Sequence, residues 1–395
     1  MTSPPLTEAA PEELGLSPVR LARLTQVMAG EIEGRRVPGA VALIARRGRV
    51  GYFESFGKRD AATGAPMTKD TIFRIYSMTK PITSVAAMML WEEGRFLLND
   101  PIAKYLPDLH NLQVAVQRGA ELELVPLERP ITIQDLLRHT SGFTYEFRGP
   151  GPVQNMYMAA KVYSRSQSSA DQVASLGKLP LLHQPGTRWE YGRSTDVVGR
   201  LVEALSGQRL SAFFQRHILG PLGMVDTAFH VPERHHSRLA EAFSNDPDSG
   251  AAVQLLEVRT APNFESGGGG LVSTASDYAR FLQMLLNGGT LDGQRLLSRK
   301  TIELMTSDHL GPITGASDLL LPGHGFGLGF AVRLEAGIAH VPGSIGQYFW
   351  GGLAGTTFWV DPAEQMFALM LIQAPGQRDY YRTLFRDLVY AAFDD

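Results

Sequence analysis

The stretch Phe73-Arg74-Ile75-Tyr76-Ser77-Met78-Thr79-Lys80-Pro81 decides how this chain is read. Apolar residues continue from it at helical spacing to Gly94, which can supply a left-handed cap, so the stretch opens a helix. Ser77 and Lys80 are three positions apart, which sets both side chains on one helical face and brings the amine within reach of the serine oxygen. A helix N-terminus adds exposed N–H groups and positive potential, both favourable to a developing oxyanion. Pro81 falls in the first turn, where a missing N–H costs little. A serine hydroxyl is a weak nucleophile, and a lysine can take its proton only where burial or a nearby cation lowers the amine's pKa. Taken alone, the tetrad reads most simply as a capping serine followed by a surface lysine. Its surroundings have to decide.

Working outward, residues 1–16 are rich in Pro, Glu and Ala and read as a loose leader. Ser17-Pro18 then starts a helix with Leu21, Leu24, Val27, Met28 and Ile32 at helical spacing. Residues 41–45, the turn Arg47-Gly48 and residues 50–56 form a β-hairpin signal. Between about 95 and 265, helical segments such as 133–138 and 197–205 are broken by Pro/Gly loops, with few convincing strands. A helix over 276–286 opens on a Ser276 cap. Strand character returns at 327–334, 355–360 and 366–372, and an amphipathic helix with Tyr381, Leu384, Phe385, Leu388 and Val389 closes the chain. The expected fold class is α+β. One antiparallel sheet, built from both chain ends and flanked by helices, carries an inserted helical domain; residues 1–85 and 290–395 form the sheet domain and 86–289 the helical one.

The bulk composition narrows the function. The chain has 395 residues, 44% of them hydrophobic, and a net charge of −3, which offers no basic field for nucleic acid or an anionic membrane. A small-molecule partner is expected instead. Cysteine is absent, which removes a thiol nucleophile, a Cys-ligated zinc and any disulfide. The first residues show neither a basic start nor an apolar run, and no apolar stretch is long enough to span a bilayer, so a cytoplasmic protein is expected.

Other segments carry reactive or turn-forming residues: Leu136-Leu-Arg-His-Thr-Ser-Gly142, Pro185-Gly186 leading to Tyr191, Gly267-Gly-Gly-Gly-Leu-Val-Ser-Thr274, and Trp350-Gly-Gly352. With residues 73–80, their order and separations resemble the serine β-lactamases, the penicillin-binding DD-peptidases and, above all, the family VIII carboxylesterases, over nearly the whole chain. The resemblance implies a β-lactamase-like (DD-peptidase) fold with Ser77 as nucleophile and Lys80 as its base partner. It also implies that Tyr191 shares the general-base role, and that the backbone N–H groups of Ser77 and Leu353 form an oxyanion hole. A phenol can act so only if a cation holds down its pKa, and Lys80 could be that cation.

Two departures matter. Where β-lactamases have Tyr-x-Asn this chain has Tyr191-Gly192-Arg193, without the asparagine that contacts a substrate amide. Where they have Lys-Thr-Gly it has Trp350-Gly351-Gly352, as the family VIII esterases do, with an apolar face and one N–H donor in place of a cation. Gly351 and Gly352 would let substrate approach the strand closely, and Tyr145 would line the acyl pocket. His139 is read as structural, since the resembling families do not use it as a base.

Other motifs fall away. No G-x-S-x-G or H-E-x-x-H occurs, and Gly267 to Gly270 lacks the lysine of a phosphate loop, reading instead as a tight turn bordering the site. His230, His235 and His236 near Glu233 read as a solvated turn, and Gly325-Phe-Gly-Leu-Gly329 fails the dinucleotide pattern. The expected activity is therefore a cofactor-free, metal-free serine hydrolase cleaving small-molecule carboxylic esters with short to medium acyl chains. Trp350 and the missing lysine favour uncharged esters. β-Lactamase, D-amino-acid peptidase and acyl transferase activities fit the same site, and a non-catalytic ligand-binding module is the remote alternative. Oligomeric state is left open.

Overall fold

The computed structural model describes residues 6–119, 121–313 and 319–395. Eight antiparallel strands make its main sheet: β1 (Gly39–Arg46), β2 (Arg49–Asp60), β3 (Ala65–Pro66), β4 (His324–Phe326), β5 (Ala331–Arg333), β6 (Tyr348–Gly351), β7 (Thr357–Asp361) and β8 (Met366–Ile372). Their order across the sheet is β4-β5-β6-β7-β8-β1-β2-β3, so the two chain ends meet where β1 pairs with β8, from Ala40 opposite Ile372 to Arg46 opposite Met366. The architecture is α+β.

Strand periodicity divides the core into two layers. Ala40, Ala42 and Ile44 of β1, with Met366, Ala368, Met370 and Ile372 of β8, face a layer made by α1 (Pro18–Glu33) and the closing helix. Leu21, Leu24 and Met28 meet Tyr381, Phe385 and Val389 there. The intervening residues, Val41, Leu43, Phe367, Leu369 and Leu371, face the opposite way into the larger core. That core receives α2 (Thr79–Glu92), α3 (Ser194–Ser206) and α4 (Ala275–Leu286), and α4 lies on β8 and β1. The closing helix is α5 (Arg378–Tyr390). Both faces of the central strands are covered, which is why these strands read as continuous apolar runs.

Several expectations change. The leader is not loose from residue 6 onward: Pro11–Leu14 forms a 3-10 turn, and Leu14 and Leu16 are buried. Gly51 of β2 leaves their room, since a Cβ there would lie 2.8 Å from Leu14. Residues 1–5 of that segment lie outside the described residues. Thr274, not Ser276, caps α4, its side chain accepting the Asp277 N–H. The middle of the chain also holds a hairpin, Gln113–Arg118 paired with Glu121–Pro126, whose mostly exposed strands give a weak apolar signal. Residues 327–334 are not one strand, because Gly327 to Phe330 form the connection between β4 and β5.

Candidate active site

Ser77 does not cap α2. It sits on a 3-10 turn, Tyr76–Met78, one step before the helix begins at Thr79. Tyr76 takes a left-handed φ of 43°, unusual for a residue with a side chain, and turns the chain just ahead of the serine. Fixed bonds hold the turn: the Tyr76 hydroxyl accepts the Leu256 N–H at 2.8 Å, the Tyr278 hydroxyl donates to the Met78 carbonyl at 2.9 Å, and Thr79 Oγ1 accepts the Leu271 N–H at 3.1 Å. A pinned, locally strained turn with an outward hydroxyl is a common way to present a reacting group.

Lys80 is completely buried, and its three protons are all used. Nζ donates to Ser77 Oγ at 3.2 Å, to the Tyr145 hydroxyl at 2.9 Å and to the Gly268 carbonyl at 2.6 Å. Among the described residues no carboxylate lies within ion-pair distance of it. Burial works to lower the amine's pKa, but the negative charge that Tyr145 and Tyr191 can carry outweighs burial and holds Lys80 above the ordinary lysine range. The lowered lysine pKa that a lone lysine base would need is therefore not met. Burial also pushes the Tyr145 phenol up to about 12, against the pull of Lys80.

Tyr191 reaches the same point from the loop ahead of α3. Its ring lies 4.5 Å from Lys80 Nζ, and its hydroxyl accepts the Trp350 indole N–H at 3.0 Å. His139 packs behind it, ring centres 4.8 Å apart, and its nitrogens meet the Gly192 N–H and the Thr195 hydroxyl. Burial, with the Lys80 charge added, drives the His139 pKa well below the usual range, so it stays a neutral wedge.

Arg193, which stands in place of the asparagine, does not enter the cavity. It is buried and paired with Glu146 at 2.5 Å and Asp196 at 3.1 Å, and its guanidinium covers the Tyr145 ring. Asp196 in turn accepts the Gly268 N–H at 2.9 Å, so Gly268, whose carbonyl holds Lys80, is fixed through its amide as well. Gly267 to Gly270 accordingly borders the site.

Above Ser77 opens a cavity of about 610 Å³, lined in part by Tyr191, Trp350, Gly351, Gly352 and Leu353. Ser77 and Leu353, the two residues expected to supply the oxyanion hole, both face this space, and the Leu353 N–H has no partner among the described residues. Gly352 faces the cavity, and packing also requires it to be glycine. A Cβ there would press on the Ile75 carbonyl at 2.5 Å and on Thr356, displacing the turn that carries Ser77. Tyr145, expected in the acyl pocket, is almost fully buried with its hydroxyl on Lys80.

Sequence reading missed three arginines. Arg148, with Arg378 and Arg382 of α5, also lines the cavity, so the absence of a lysine beside Trp350 does not leave the site without a cation. For the two on α5 a spacing of four was the available signal, but it is shared by any solvated helical face. Among the described residues no three His, Asp or Glu side chains gather as metal ligands would, and no helix is long and apolar enough to cross a membrane. His235 and His236 sit on the 3-10 turn Glu233–Arg238, where His236 meets the Val231 carbonyl.

A family model described as Beta-lactamase matches residues 24–391. The chain is 37% identical over 345 residues to Protein Rv1367c of Mycobacterium tuberculosis, covering 85% of each chain. It is 32% identical over 394 residues to Esterase EstB of Burkholderia gladioli, covering 94% of this chain and 95% of that one. Among solved structures it is similar to EstCE1, a hydrolase with promiscuous acyltransferase activity, at a TM-score of 0.78 and 27% identity, covering 94% of this chain and 99% of the other.

Proposed function

We propose that this chain, which belongs to the Beta-lactamase family, is a serine ester hydrolase in which Ser77, Lys80 and Tyr191 form the catalytic group. The observation that carries the reading is Lys80: a buried ammonium on Ser77 Oγ, held by a hydroxyl, a phenol and a carbonyl rather than by a carboxylate. A buried charge left without a counter-ion is costly, and such a group is retained where its charge is used in chemistry. The similarity to Esterase EstB and to the hydrolase EstCE1 supports ester over amide chemistry. So does Arg193, whose buried pairing leaves no side-chain amide to meet a substrate amide.

Acyl transfer then runs in two steps. The serine proton passes to the Lys80–Tyr191 couple as Ser77 Oγ attacks the ester carbonyl and a new C–O bond forms. The couple takes up that proton as a unit, one of its two members being unprotonated before the attack. The N–H groups of Ser77 and Leu353 take the oxyanion, and each such donor contributes about 3 kcal/mol to the transition state. The alcohol C–O bond breaks and the couple returns its proton to the leaving oxygen. Water, deprotonated by the same couple, then cleaves the acyl-serine. Trp350 positions Tyr191 through its N–H donation and closes one wall.

The test is turnover of 4-nitrophenyl butyrate and of nitrocefin by the wild type and by Ser77→Ala. The account expects butyrate cleavage well above nitrocefin cleavage, and loss of both by about 10⁴-fold or more in the variant. Unchanged ester turnover by Ser77→Ala, or faster nitrocefin cleavage by the wild type, would contradict it. An acyltransferase reading has one specific support, the acyltransferase side activity of EstCE1; adding an alcohol acceptor to the assay separates transfer from hydrolysis.

A further inference from the structure

The peptide between Gly352 and Leu353 keeps different company at its two ends. Its N–H, on Leu353, belongs to the cavity over Ser77 and has no partner among the described residues. Its carbonyl, on Gly352, takes two donors: the Gly355 N–H at 3.1 Å, which closes a turn after β6, and the Arg382 guanidinium of α5 at 2.5 Å. Gly351 is what admits the arginine. A Cβ there would stand 2.6 Å from the guanidinium nitrogen and 2.9 Å from the Thr356 carbonyl oxygen. The nearest printed carboxylate, on Asp379, is 3.6 Å from Arg382 and exposed, a pair that contributes little. Burial brings the Arg382 pKa down to about 10, which still leaves the side chain charged at neutral pH. A cation is thus directed at the carbonyl of a peptide whose N–H is assigned to the oxyanion. Hydrogen bonds in series polarise one another, and a charged donor at the carbonyl end strengthens the N–H at the other.

We infer that Arg382 is a positioning residue for the oxyanion hole: it fixes and polarises the Gly352–Leu353 peptide, so that the Leu353 N–H donates more strongly to the charge growing on the substrate carbonyl oxygen. The inference rests on the ester-hydrolase reading. Arg382 exchanges no proton and forms no bond. As Ser77 Oγ adds to the carbonyl carbon, the π pair moves onto the oxygen and meets the Leu353 N–H, while Arg382 answers at the far end of the same peptide. The intact ester carries little charge on that oxygen, so the effect falls on the rate rather than on binding. The packing keeps this arm in register with the nucleophile. The Gly352 N–H donates to the Thr356 carbonyl at 2.8 Å, and the Thr356 hydroxyl donates to the Ile75 carbonyl at 3.3 Å, on the turn that carries Ser77. Tyr381 and Phe385, beside Arg382 on α5, are fully buried and anchor the helix.

The experiment compares two esters that release the same 4-nitrophenol: 4-nitrophenyl butyrate and its thiono analogue, with C=S in place of C=O. Sulfur is a weak hydrogen-bond acceptor, so the thiono ester gains little from a strengthened oxyanion donor. The readout is kcat/KM for the oxygen ester over kcat/KM for the thiono ester, each divided by its own rate with hydroxide. Both are measured on one sample, so any misfolded fraction cancels. Arg382→Met should lower that ratio by about tenfold, less than the loss of a whole oxyanion donor would cost. Arg382→Lys keeps a charged donor and should stay within about threefold of the wild type. Gly351→Ala leaves Arg382 in the chain but wedges its guanidinium off the carbonyl; it should lower the ratio as Arg382→Met does, and it carries the test if that variant does not fold. A wild-type ratio preserved in these two variants would make Arg382 merely structural and overturn the inference, with the hydrolase reading left standing. A fall in Arg382→Lys as deep as in Arg382→Met overturns it as well. No turnover of the oxygen ester by the wild type removes both.

Discussion

Two cations lie buried within one small region, and the structure treats them in opposite ways. Arg193 has two carboxylates, Glu146 and Asp196, against its guanidinium; Lys80 has none among the described residues. They share a neighbour in Tyr145, whose ring underlies Arg193 and whose hydroxyl takes a Lys80 proton. Asp196 and the Gly268 peptide link them as well. The difference teaches which charge is architecture and which is chemistry. A compensated buried ion holds groups in place, and breaking its pair is costly. A buried ion solvated only by dipoles keeps its field, which acts on the hydroxyl beside it.

The largest effect should come from treating both cations alike. Lys80→Met should lower kcat/KM for a 4-nitrophenyl ester by about 10⁴-fold at only a modest cost in melting temperature, because three hydrogen bonds are lost but no carboxylate is stranded. Arg193→Met should cost far more in stability. It strands two buried carboxylates, and urea unfolding should show a loss of about 3–5 kcal/mol. A Lys80→Met protein that is strongly destabilised, or an Arg193→Met protein that is not, would break the comparison.

The two phenols sharpen it. Tyr191→Phe removes the hydroxyl assigned to proton transfer and should cost about 10²–10³-fold in kcat. Tyr145→Phe removes only a prop for Lys80 and should cost about tenfold, close to one neutral hydrogen bond. Equal losses would mean that the phenols share the proton, as coupled groups can.

The smallest effect lies in pH. His139 is held well below its ordinary pKa by burial, so the unfolded chain binds a proton that the folded chain refuses. The stability that this neutral imidazole contributes is present above about pH 6.5 and is lost as pH falls below that value, and the melting temperature should decline there. His139→Asn keeps a side chain that tolerates the left-handed backbone, φ 60°, and should make the decline shallower. His309 and His324, also depressed by burial, leave a remaining slope. An unchanged slope would show that His139 is not the group responsible.

How much could be read beforehand depends on the range of the interaction. Ser77 and Lys80 are three residues apart, so local helical geometry sufficed to join them, even though the serine sits on a turn ahead of the helix. The strands β1 and β8 were legible because burial on both faces makes them apolar throughout. Tyr191 and Trp350 were found by the order of motifs, since nothing local marks one tyrosine among twelve. The contact of Tyr145 with Lys80 was out of reach of local reading because it spans 65 residues. Arg378 and Arg382 went unnoticed because arginines one turn apart describe a solvated helix and a cavity wall equally well. The hairpin at 113–126 did alternate, but its apolar residues divide between two faces, Val114 opposite Val125 on one and Leu122 and Leu124 opposite Gln117 and Ala115 on the other, and few of those side chains reach the core.

The central claim is that Ser77 carries the acyl group and that the unpaired charge of Lys80 makes it reactive. Labelling with a fluorophosphonate, followed in time by intact mass and mapped by peptide fragmentation, tests both halves. The account predicts a single adduct on Ser77, forming at least about a hundredfold more slowly in Lys80→Met. An adduct on another residue, or equal rates in the two proteins, would contradict it.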